Sequence, residues 1–584
     1  MDIAQAQDLT VIRERNRVAN TYNIGLNAKW DAAHNLEIEG DVSYAKATGD
    51  KPYDPYVLIG RYAQGGVGFS LDDSNNPIAD LQDEVYTDPS LARVGYSGNW
   101  SQKIDDHILE GRLSAKWHSD GGILRGAEAG VDYQDHTKGL DNYNWNDDAY
   151  DTLTFPIDPS LLHTATFGNF MDGAVASPVP SYLSYDPHEL MAWLSDPAQL
   201  NRRPDYSPTY LPGGSNYSKM ADDLAAPGGP YALKYDPGGS FDTQERVLAG
   251  YIDTQWGGSW WSGNIGVRIV HVDTKSNGWG QTLQSVTAGA SGNYTFTYSP
   301  AGPISSSASY TSFLPSANLK FSITDNMFLR LAASRTLTRA DLNDLRYSVS
   351  WGGSNGQLTL NLGNPGLKPM YGKDLDASWE WYISRLSYVS VAGFRKDLTN
   401  LFGSATFSAP AAQYLPAGAT GLPSTITVTQ TQNLSKGWVQ GVEVAAQFAL
   451  DQRAGWLSGF GVSGNYTHVA TNATDGCGVT GVSPDSYNVS GFYDNGTIQL
   501  RAAYNWRARW IMACQWDVTG QPEYHAPYGQ IDLAARFNLT KSLQIFADVV
   551  NLTNEKSRLY VLDNIPIQQT LDYRRIDFGA RVSF

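Results

Sequence analysis

The sequence predicts an all-β protein, a transmembrane antiparallel β-barrel with long extracellular loops, and three observations lead to this prediction. Stretches of strand length alternate apolar with polar residues, short turns alternate with long loops, and the composition suits strands, turns and aromatic belts. Among 584 residues, 57 are Gly, 34 are Tyr and 17 are Trp, whereas charged residues amount to only 17%. The pattern recurs without a compositional break, so residues 1–584 are predicted to form one barrel domain.

The alternation is clearest in the last strand. From Ile576 to Phe584 the residues Ile, Phe, Ala, Val and Phe alternate with Asp, Gly, Arg and Ser. The same period of two runs from Tyr528 to Leu539 and from Gly496 to Trp506. Successive side chains of a strand point to opposite faces, and one face is repeatedly charged, which a soluble core would not bury. We therefore predict that the apolar face meets lipid and that the polar face lines a wide lumen.

The bulk properties disfavour several other classes of protein. A net charge of -17 and a pI near 4.9 disfavour nucleic acid as a partner, because phosphate contacts need a basic surface. The nine histidines are scattered, and the sequence shows neither metal-ligand spacing nor a nucleophile elbow or phosphate loop. No metal, cofactor or catalytic residue is predicted, and a scattered Ser-His-Asp triad, as in membrane hydrolases, is the enzyme alternative.

Eight tight connections set the predicted topology. They lie near Ala32–His34, Ser119–Gly122, Gly257–Gly263, Ile323–Asn326, Ile383–Leu386, Asp451–Gly455, Asp494–Gly496 and Thr540–Ser542. In outer-membrane barrels such short turns are periplasmic. Together with the terminal strand they make about seventeen strands, of which the first lies near Val18–Asp31. A chain that arrives from the periplasm should begin its first strand there, so the odd count leads us to expect that an amino-terminal part of the protein is missing here.

The long connections are predicted to be extracellular. The longest runs from about Asp141 to Gly239, and its many aromatic residues argue against disorder. The others are predicted near Ala47–Asn99, Lys275–Ser309, Arg339–Met370, Phe402–Gln432, Thr471–Asp485 and Ala508–His525.

Several residues of these loops are candidates for substrate binding. Trp145, Trp193, Trp279 and Trp351 are candidates for stacking on a ligand ring, and the alternative is packing between loops or anchoring at the membrane interface. Arg202 and Arg203 are candidates for binding an anionic ligand, and the alternative is a solvated pair.

A family resemblance rests on motifs in the second half of the chain. They are the stretch from Tyr310 to Arg339, Gly363–Pro369, Asp376–Tyr382, Gly393–Leu398, Gly441–Glu443 and Asn551–Asn554 before the terminal Phe584. In order and spacing, from about Val247 to Phe584, these motifs resemble the barrel of TonB-dependent receptors. The region before Val247 matches that family only in pattern.

The resemblance implies a Gram-negative outer-membrane transporter whose barrel has 22 strands. It also implies a plug inside the barrel, moved by the TonB-ExbB-ExbD complex, and the plug, the TonB-binding segment and the signal peptide have no counterpart in this sequence. The expected function is energised uptake of a scarce, bulky solute that binds at the outer loops, a carbohydrate first and a ferric siderophore second. A passive porin without a plug is the main alternative, and a surface adhesion or assembly barrel is the third.

The two cysteines, Cys477 and Cys514, fall in neighbouring predicted outer loops. Exported proteins meet an oxidising compartment, so we predict a disulfide between them, and the alternative is two unpaired thiols. The bond requires Cα atoms within about 7 Å of each other, a distance that the sequence does not supply.

The terminal aromatic residue generates the first testable prediction. Phe584 closes the last strand on its lipid face, and we predict that it is the assembly signal read by the barrel-assembly machinery. Replacement by Ala, or deletion, should lower the yield of assembled barrel more than it changes ligand affinity. Heat-modifiable gel mobility after expression measures that yield, and normal assembly of both variants would contradict the prediction.

Overall fold

We describe the fold from a computed structural model of the chain. It describes residues 2–4, 7–13, 17–62, 66–71, 77–80, 87–144, 149–166, 181–196, 198, 232–281, 283–288, 294–300, 302–354, 357–415, 423–450, 455, 457–474, 479–514, 520–562 and 565–583. Within these ranges, no helix has both the length and the apolar character needed to cross a membrane.

Seventeen long strands form one antiparallel wall. They are β1 Val18–Ala33, β2 Leu36–Tyr62, β3 Arg93–His118, β4 Leu124–Asn144, β5 Lys234–Gly257, β6 Trp261–Gly280, β7 Gly302–Thr324, β8 Met327–Thr338, β9 Met370–Tyr382, β10 Tyr388–Pro410, β11 Thr425–Ala449, β12 Phe460–Ala473, β13 Asp485–Asp494, β14 Ile498–Arg507, β15 Tyr528–Asn538, β16 Leu543–Val550 and β17 Arg575–Val582. The predicted count of about seventeen strands is confirmed.

Each strand of the wall pairs with the strand that follows it in the chain. This antiparallel pairing of consecutive strands continues from β1–β2 to β16–β17. Seven of the eight predicted tight connections lie between neighbouring strands at one end of the wall. The eighth, Asp451–Gly455, falls mostly outside the described residues. Among the described residues no pairing joins β1 to β17. Both strands run in the same direction, because both have odd numbers in an antiparallel order. The total of 22 strands remains a prediction.

The alternation of side chains follows the predicted parity. On β15, Leu533 is 36% exposed and Phe537 is 42% exposed on the apolar face, whereas Arg536 on the other face pairs with Asp548 at 3.1 Å. On β17, Phe578 is 85% exposed, while Arg575 and Asp577 form an ion pair on the opposite face. On these two strands the apolar side chains therefore form the convex, lipid-facing surface, and the charged side chains line the concave surface.

The curvature of the wall is visible in contacts between distant strands. Arg339, just after β8, donates a hydrogen bond of 2.9 Å to the amide oxygen of Gln134 on β4. Three strands separate β4 from β8 within the sheet. Such a contact requires the wall to curve around a shared interior, as a barrel wall does.

The strands reach farther outward than the sequence patterns predict. The predicted loop Phe402–Gln432 contains the end of β10 and the start of β11, and the predicted loop Lys275–Ser309 contains parts of β6 and β7. Cross-strand hydrogen bonds continue beyond the point at which the apolar alternation fades, because backbone pairing does not depend on lipid contact. The outer connection between β16 and β17, residues 551–574, is absent from the predicted loops and carries a hairpin of its own.

The described outer segments fold into further strands and one helix. The strands are Asp2–Ala4, Gln7–Arg13, Gly66–Leu71, Pro77–Asp80, Ala149–Pro156, Leu162–Thr166, Ser181–Tyr185, Leu283–Ala288, Tyr294–Tyr298, Val349–Ser354, Gln357–Leu362, Trp510–Ala513, Glu523–His525, Lys556–Val561 and Ile565–Leu571. The helix α1, Pro187–Leu194, begins after Asp186, whose carboxylate accepts from the amides of His188 and Glu189. Short 3-10 turns cover Pro89–Leu91, Pro159–Leu161 and Ala411–Gln413.

The two faces of β15 allow a matched test of the wall. Leu533→Arg should place a guanidinium in lipid at a cost of about 2–4 kcal/mol near the bilayer midplane, which is enough to lower the folded fraction. Ala534→Arg should assemble, because its side chain enters the concave face beside Asp548 on the neighbouring strand. The folded fractions of both variants in lipid vesicles give the comparison.

Ala534 is a cleaner control than Asp532, the other concave-face neighbour of Leu533. The Asp532 carboxylate accepts hydrogen bonds from Gln530, Asn505 and the amide of Asn551, so its replacement would disturb more than the charge. Equal tolerance of Arg at Leu533 and Ala534 would mean that this strand does not face lipid.

Candidate functional site: the concave face and the outer loops

The concave face of β3–β6 carries a cluster of charged residues, Arg112, Glu128, Asp132, Tyr251 and Arg268, named here the lower luminal cluster. Arg112 donates to the Tyr251 hydroxyl at 2.5 Å, and that hydroxyl donates to Glu128 at 2.7 Å. Arg268 pairs with Asp132, and Arg112 lies 3.2 Å from the Glu128 carboxylate. Because strand parity sends these side chains to one face, residues far apart in sequence form a single network.

Tyr251 lies at the centre of the lower luminal cluster. The guanidinium carbons of Arg112 and Arg268 lie 5.4 and 5.8 Å from its ring centroid. A cation near an aromatic face is attracted by the ring quadrupole, so the ring helps to hold both guanidinium groups in place. The cluster therefore presents fixed charges of both signs to the lumen, an arrangement that suits polar contacts with a solute or with another protein segment.

A second group lies farther from the tight turns and consists of Gln134, Glu245 and Arg339, named here the upper luminal cluster. The Glu245 side chain is only 4% exposed, and the Arg339 guanidinium lies 3.1 Å from its carboxylate. An ionised carboxylate is costly to bury without a partner, so this ion pair holds the chain after β8 against β4 and β5. It thus positions the start of the outer loop that follows.

Two large buried cores lie among the described outer loops, beside a smaller one at Leu342, Leu345 and Leu367. The first outer core combines Val57 and Ile59 of β2 and Val94 of β3 with the longest insertion, which contributes Leu190 and Met191 of α1. Tyr185 accepts a hydrogen bond from the Ile12 amide at 2.9 Å, and burial raises the pKa of its hydroxyl well above the ordinary value.

The second outer core joins hairpins from different connections. It contains Leu283 and Val286, Leu358 and Leu360, and Ala409, Ala411, Ile426 and Val428. The strand Gln357–Leu362 also pairs in parallel with β11. These loops are therefore fixed to one another, which provides a rigid surface on the outer side of the barrel.

Three of the predicted substrate-binding residues lie in the described part of the chain, at separate places. Trp193 packs against the first outer core and Trp351 against the second. Trp279 is 44% exposed near the outer end of β6 and has the same strand parity as the lipid-facing Ile265 and Ile269. Their role in binding remains a prediction, as it does for Trp145, Arg202 and Arg203, which lie outside the described residues.

The structure describes one of the two cysteines of the predicted disulfide. Cys514 is disulfide-bonded, whereas Cys477 lies outside the described residues. The pairing of the two residues therefore stays a prediction, and so does the role of Phe584, which also lies outside them. Within the described ranges, no group of three or more His, Cys, Asp or Glu side chains is placed to hold a metal ion.

An aromatic pair in the outer loops was missed by the sequence analysis. Tyr524 and Tyr560 are direct partners on two adjacent strands. Their ring centroids lie 5.6 Å apart, and the ring planes are inclined by 23°. The Arg509 guanidinium carbon lies 5.3 Å from the Tyr524 centroid. We name these three residues the tyrosine platform. No local pattern of the sequence relates Tyr524 to Tyr560, because they lie in different connections between strands of the wall.

A meandering wall with a lipid-compatible convex face, a charged concave face and structured outer loops defines a transmembrane β-barrel of the outer-membrane type. The chain belongs to the TonB-dependent receptor family, since the family model described as "TonB dependent receptor-like, beta-barrel" matches residues 70–552. The matched region begins at residue 70, whereas the motifs of the family resemblance begin only near Val247. The protein is accordingly located in the outer membrane of a Gram-negative bacterium.

Solved structures support the same fold. The chain is similar to the copper transporter OprC, with a TM-score of 0.50 and 11% identity over 97% of this chain and 72% of that one. It is similar to the ferric-catecholate import receptor Fiu from E. coli K12, with a TM-score of 0.50, 12% identity and 97% of this chain covered. The chain spans 62% of the Fiu chain. No curated protein matches the sequence in a pairwise search.

The buried ion pair of the upper luminal cluster generates a stability prediction. Arg339→Ala should leave the Glu245 carboxylate buried without its partner, at a cost of about 3–5 kcal/mol. The matched control is Arg246→Ala, because Arg246 pairs with Asp135 at 3.2 Å but its side chain is 57% exposed, and exposed pairs contribute about 1 kcal/mol or less. The temperature of the heat-induced shift in gel mobility measures the difference.

A second variant separates the charge from the packing at this site. The double variant Arg339→Met with Glu245→Gln removes both charges, so it should recover most of the loss seen in Arg339→Ala. Equal loss in Arg339→Ala and Arg246→Ala would show that the buried pair does not hold the loop.

Proposed function

We propose that this protein is an active-transport receptor that captures a scarce, bulky solute at its outer loops and imports it with energy from TonB. It acts as a receptor and not as an enzyme. The observation that carries the proposal is the pair of buried outer cores, because these cores hold loops from different parts of the chain in fixed positions around the outer end of the wall. A pre-organised surface of this kind favours capture at low concentration, since little ordering is needed on binding.

The tyrosine platform supports a ring-containing solute, either a carbohydrate or a ferric siderophore. Stacked tyrosines offer apolar faces for a sugar or catechol ring, and Arg509 adds a positive charge close to one of them. On the concave face, the two luminal clusters provide further fixed donors and acceptors. A solute that enters the interior would thus meet polar contacts there.

The alternative is a passive, porin-like channel, and the charged concave face is compatible with it. The two functions differ in their source of energy. A receptor coupled to TonB needs the inner-membrane proton gradient, whereas a porin equilibrates its solute without it. A surface adhesion or assembly barrel would transport no solute at all.

Uptake measurements test the proposal. Cells that produce the protein should accumulate a radiolabelled carbohydrate or ferric siderophore from dilute medium, and both a protonophore and deletion of the tonB gene should abolish accumulation. Uptake that persists under both treatments, together with a large steady current in planar bilayers, would establish the porin. Cells that lack the gene provide the background.

The tyrosine platform can be tested in the same assay. The double variant Tyr524→Ala and Tyr560→Ala should lower solute affinity by about tenfold or more, since stacking on two rings contributes about 0.5–1.5 kcal/mol per ring. The matched control is Tyr133→Ala, which removes a tyrosine from the lipid-facing side of β4. Unchanged affinity in the double variant would exclude the platform from the binding site, while energised uptake would still stand.

A further inference from the structure

A groove crosses the lipid-facing surface of β7–β12. Two adjacent cross-strand rows form its floor and walls, and strict register joins the members of each row. The first row is Ala317, Ala333, Leu375, Arg395, Gln440 and Ala470, and the second is Leu319, Leu331, Ala377, Gly393, Val442 and His468. All twelve residues line one cavity of about 780 Å³. With strands about 4.8 Å apart, the groove is roughly 24 Å long.

Larger side chains border the groove on its inner side. The row that follows in register is Phe321, Leu329, Trp379, Val391, Val444 and Tyr466. Ala333, Ala377 and Gly393 therefore lie lower than the aromatic and branched residues beside them. The result is a furrow of small residues below a raised apolar edge, open to the bilayer.

The opposite border of the groove is charged. The row on that side contains Lys373, Asp397 and Trp438, which are joined in register. Arg395 at the edge of the groove donates to Asp397 and to Gln440, both at 2.8 Å, and its guanidinium carbon lies 5.4 Å from the Trp438 ring centroid. Two cations and one carboxylate leave this border with an excess of positive charge.

The groove is also oriented with respect to the membrane. On β7, Leu319 lies close to the inner turn that follows Thr324. On β12, His468 lies farther from the inner turn that precedes Phe460. The end with Arg395, Gln440 and His468 is thus the outer end, and the purely apolar end points toward the bilayer centre.

We propose that this groove binds one anionic lipid of the outer leaflet, with an acyl chain in the furrow and the negatively charged headgroup at Lys373 and Arg395. The polarity of the groove has the same direction as that of such a lipid, with the charge outside and the hydrocarbon inside. The positive border complements an anionic headgroup, and Trp438 is the type of side chain that lies at a membrane interface. A protein partner would need no such gradient of polarity along the groove.

Native mass spectrometry of the purified chain in detergent tests the proposal. The protein is titrated with dimyristoyl phosphatidylglycerol, as the phosphorylated anionic probe, and with dimyristoyl phosphatidylcholine, as the zwitterionic comparison. The unaltered chain should bind one phosphatidylglycerol in preference to phosphatidylcholine by about fivefold, the change expected for one added charge contact near the surface. Equal affinity for the two lipids would overturn the assignment of the headgroup site.

Variants test the furrow and the border separately. Ala333→Phe fills the floor and should weaken binding of both lipids by about tenfold, as expected when one or two methylene groups leave the groove. Lys373→Gln should lower the preference for phosphatidylglycerol over phosphatidylcholine, because the border loses one positive charge. Ala502→Phe is the matched control, because Ala502 is an exposed alanine on the lipid-facing side of β14, outside the groove.

Heat-modifiable mobility identifies folded protein for each variant, and only folded protein is compared. Unchanged lipid binding in folded Ala333→Phe would overturn the proposal. The same holds for equal losses in Ala333→Phe and Ala502→Phe, which would indicate nonspecific lipid contact.

Discussion

Pairing of the backbone between neighbouring strands is the constraint on which the rest of the molecule depends. In hydrocarbon, an unpaired amide or carbonyl costs several kcal/mol, so a chain that spans the bilayer as strands must pair each one with a neighbour. The fifteen strands β2–β16 meet this requirement with an antiparallel neighbour on each side, whereas within the described residues β1 and β17 are each paired on one side only. Once that pairing is set, the two faces of every strand are assigned, and the convex face becomes apolar because lipid contacts it.

The concave face follows from the same pairing but obeys a different rule. Its charged side chains lie at corresponding heights on adjacent strands, so Arg112, Glu128 and Asp132 compensate one another across strand boundaries. Such ion pairs contribute little individually where water reaches them. Their effect is collective, since they position donors and acceptors along the interior.

The outer loops are organised by burial and not by membrane contact. Long strands continue past the bilayer, and their ends supply apolar residues such as Val57 and Val428 to the two outer cores. Loops from different connections then share one core, which fixes their relative positions. The part of the molecule that first meets a solute therefore has buried cores of its own, and the ends of the barrel strands anchor them.

The sequence alone determined the barrel class, the two faces, seven of the tight turns in the described residues and the approximate strand count, because a period of two is a local property that each strand carries by itself. It also contained the motifs of the family. Which distant residues meet was decided only by the tertiary structure. Arg339 and Glu245 form a buried pair, Tyr524 and Tyr560 stack, and Trp193 and Trp351 pack into loop cores, because register between strands and docking between loops bring together residues that no local pattern relates.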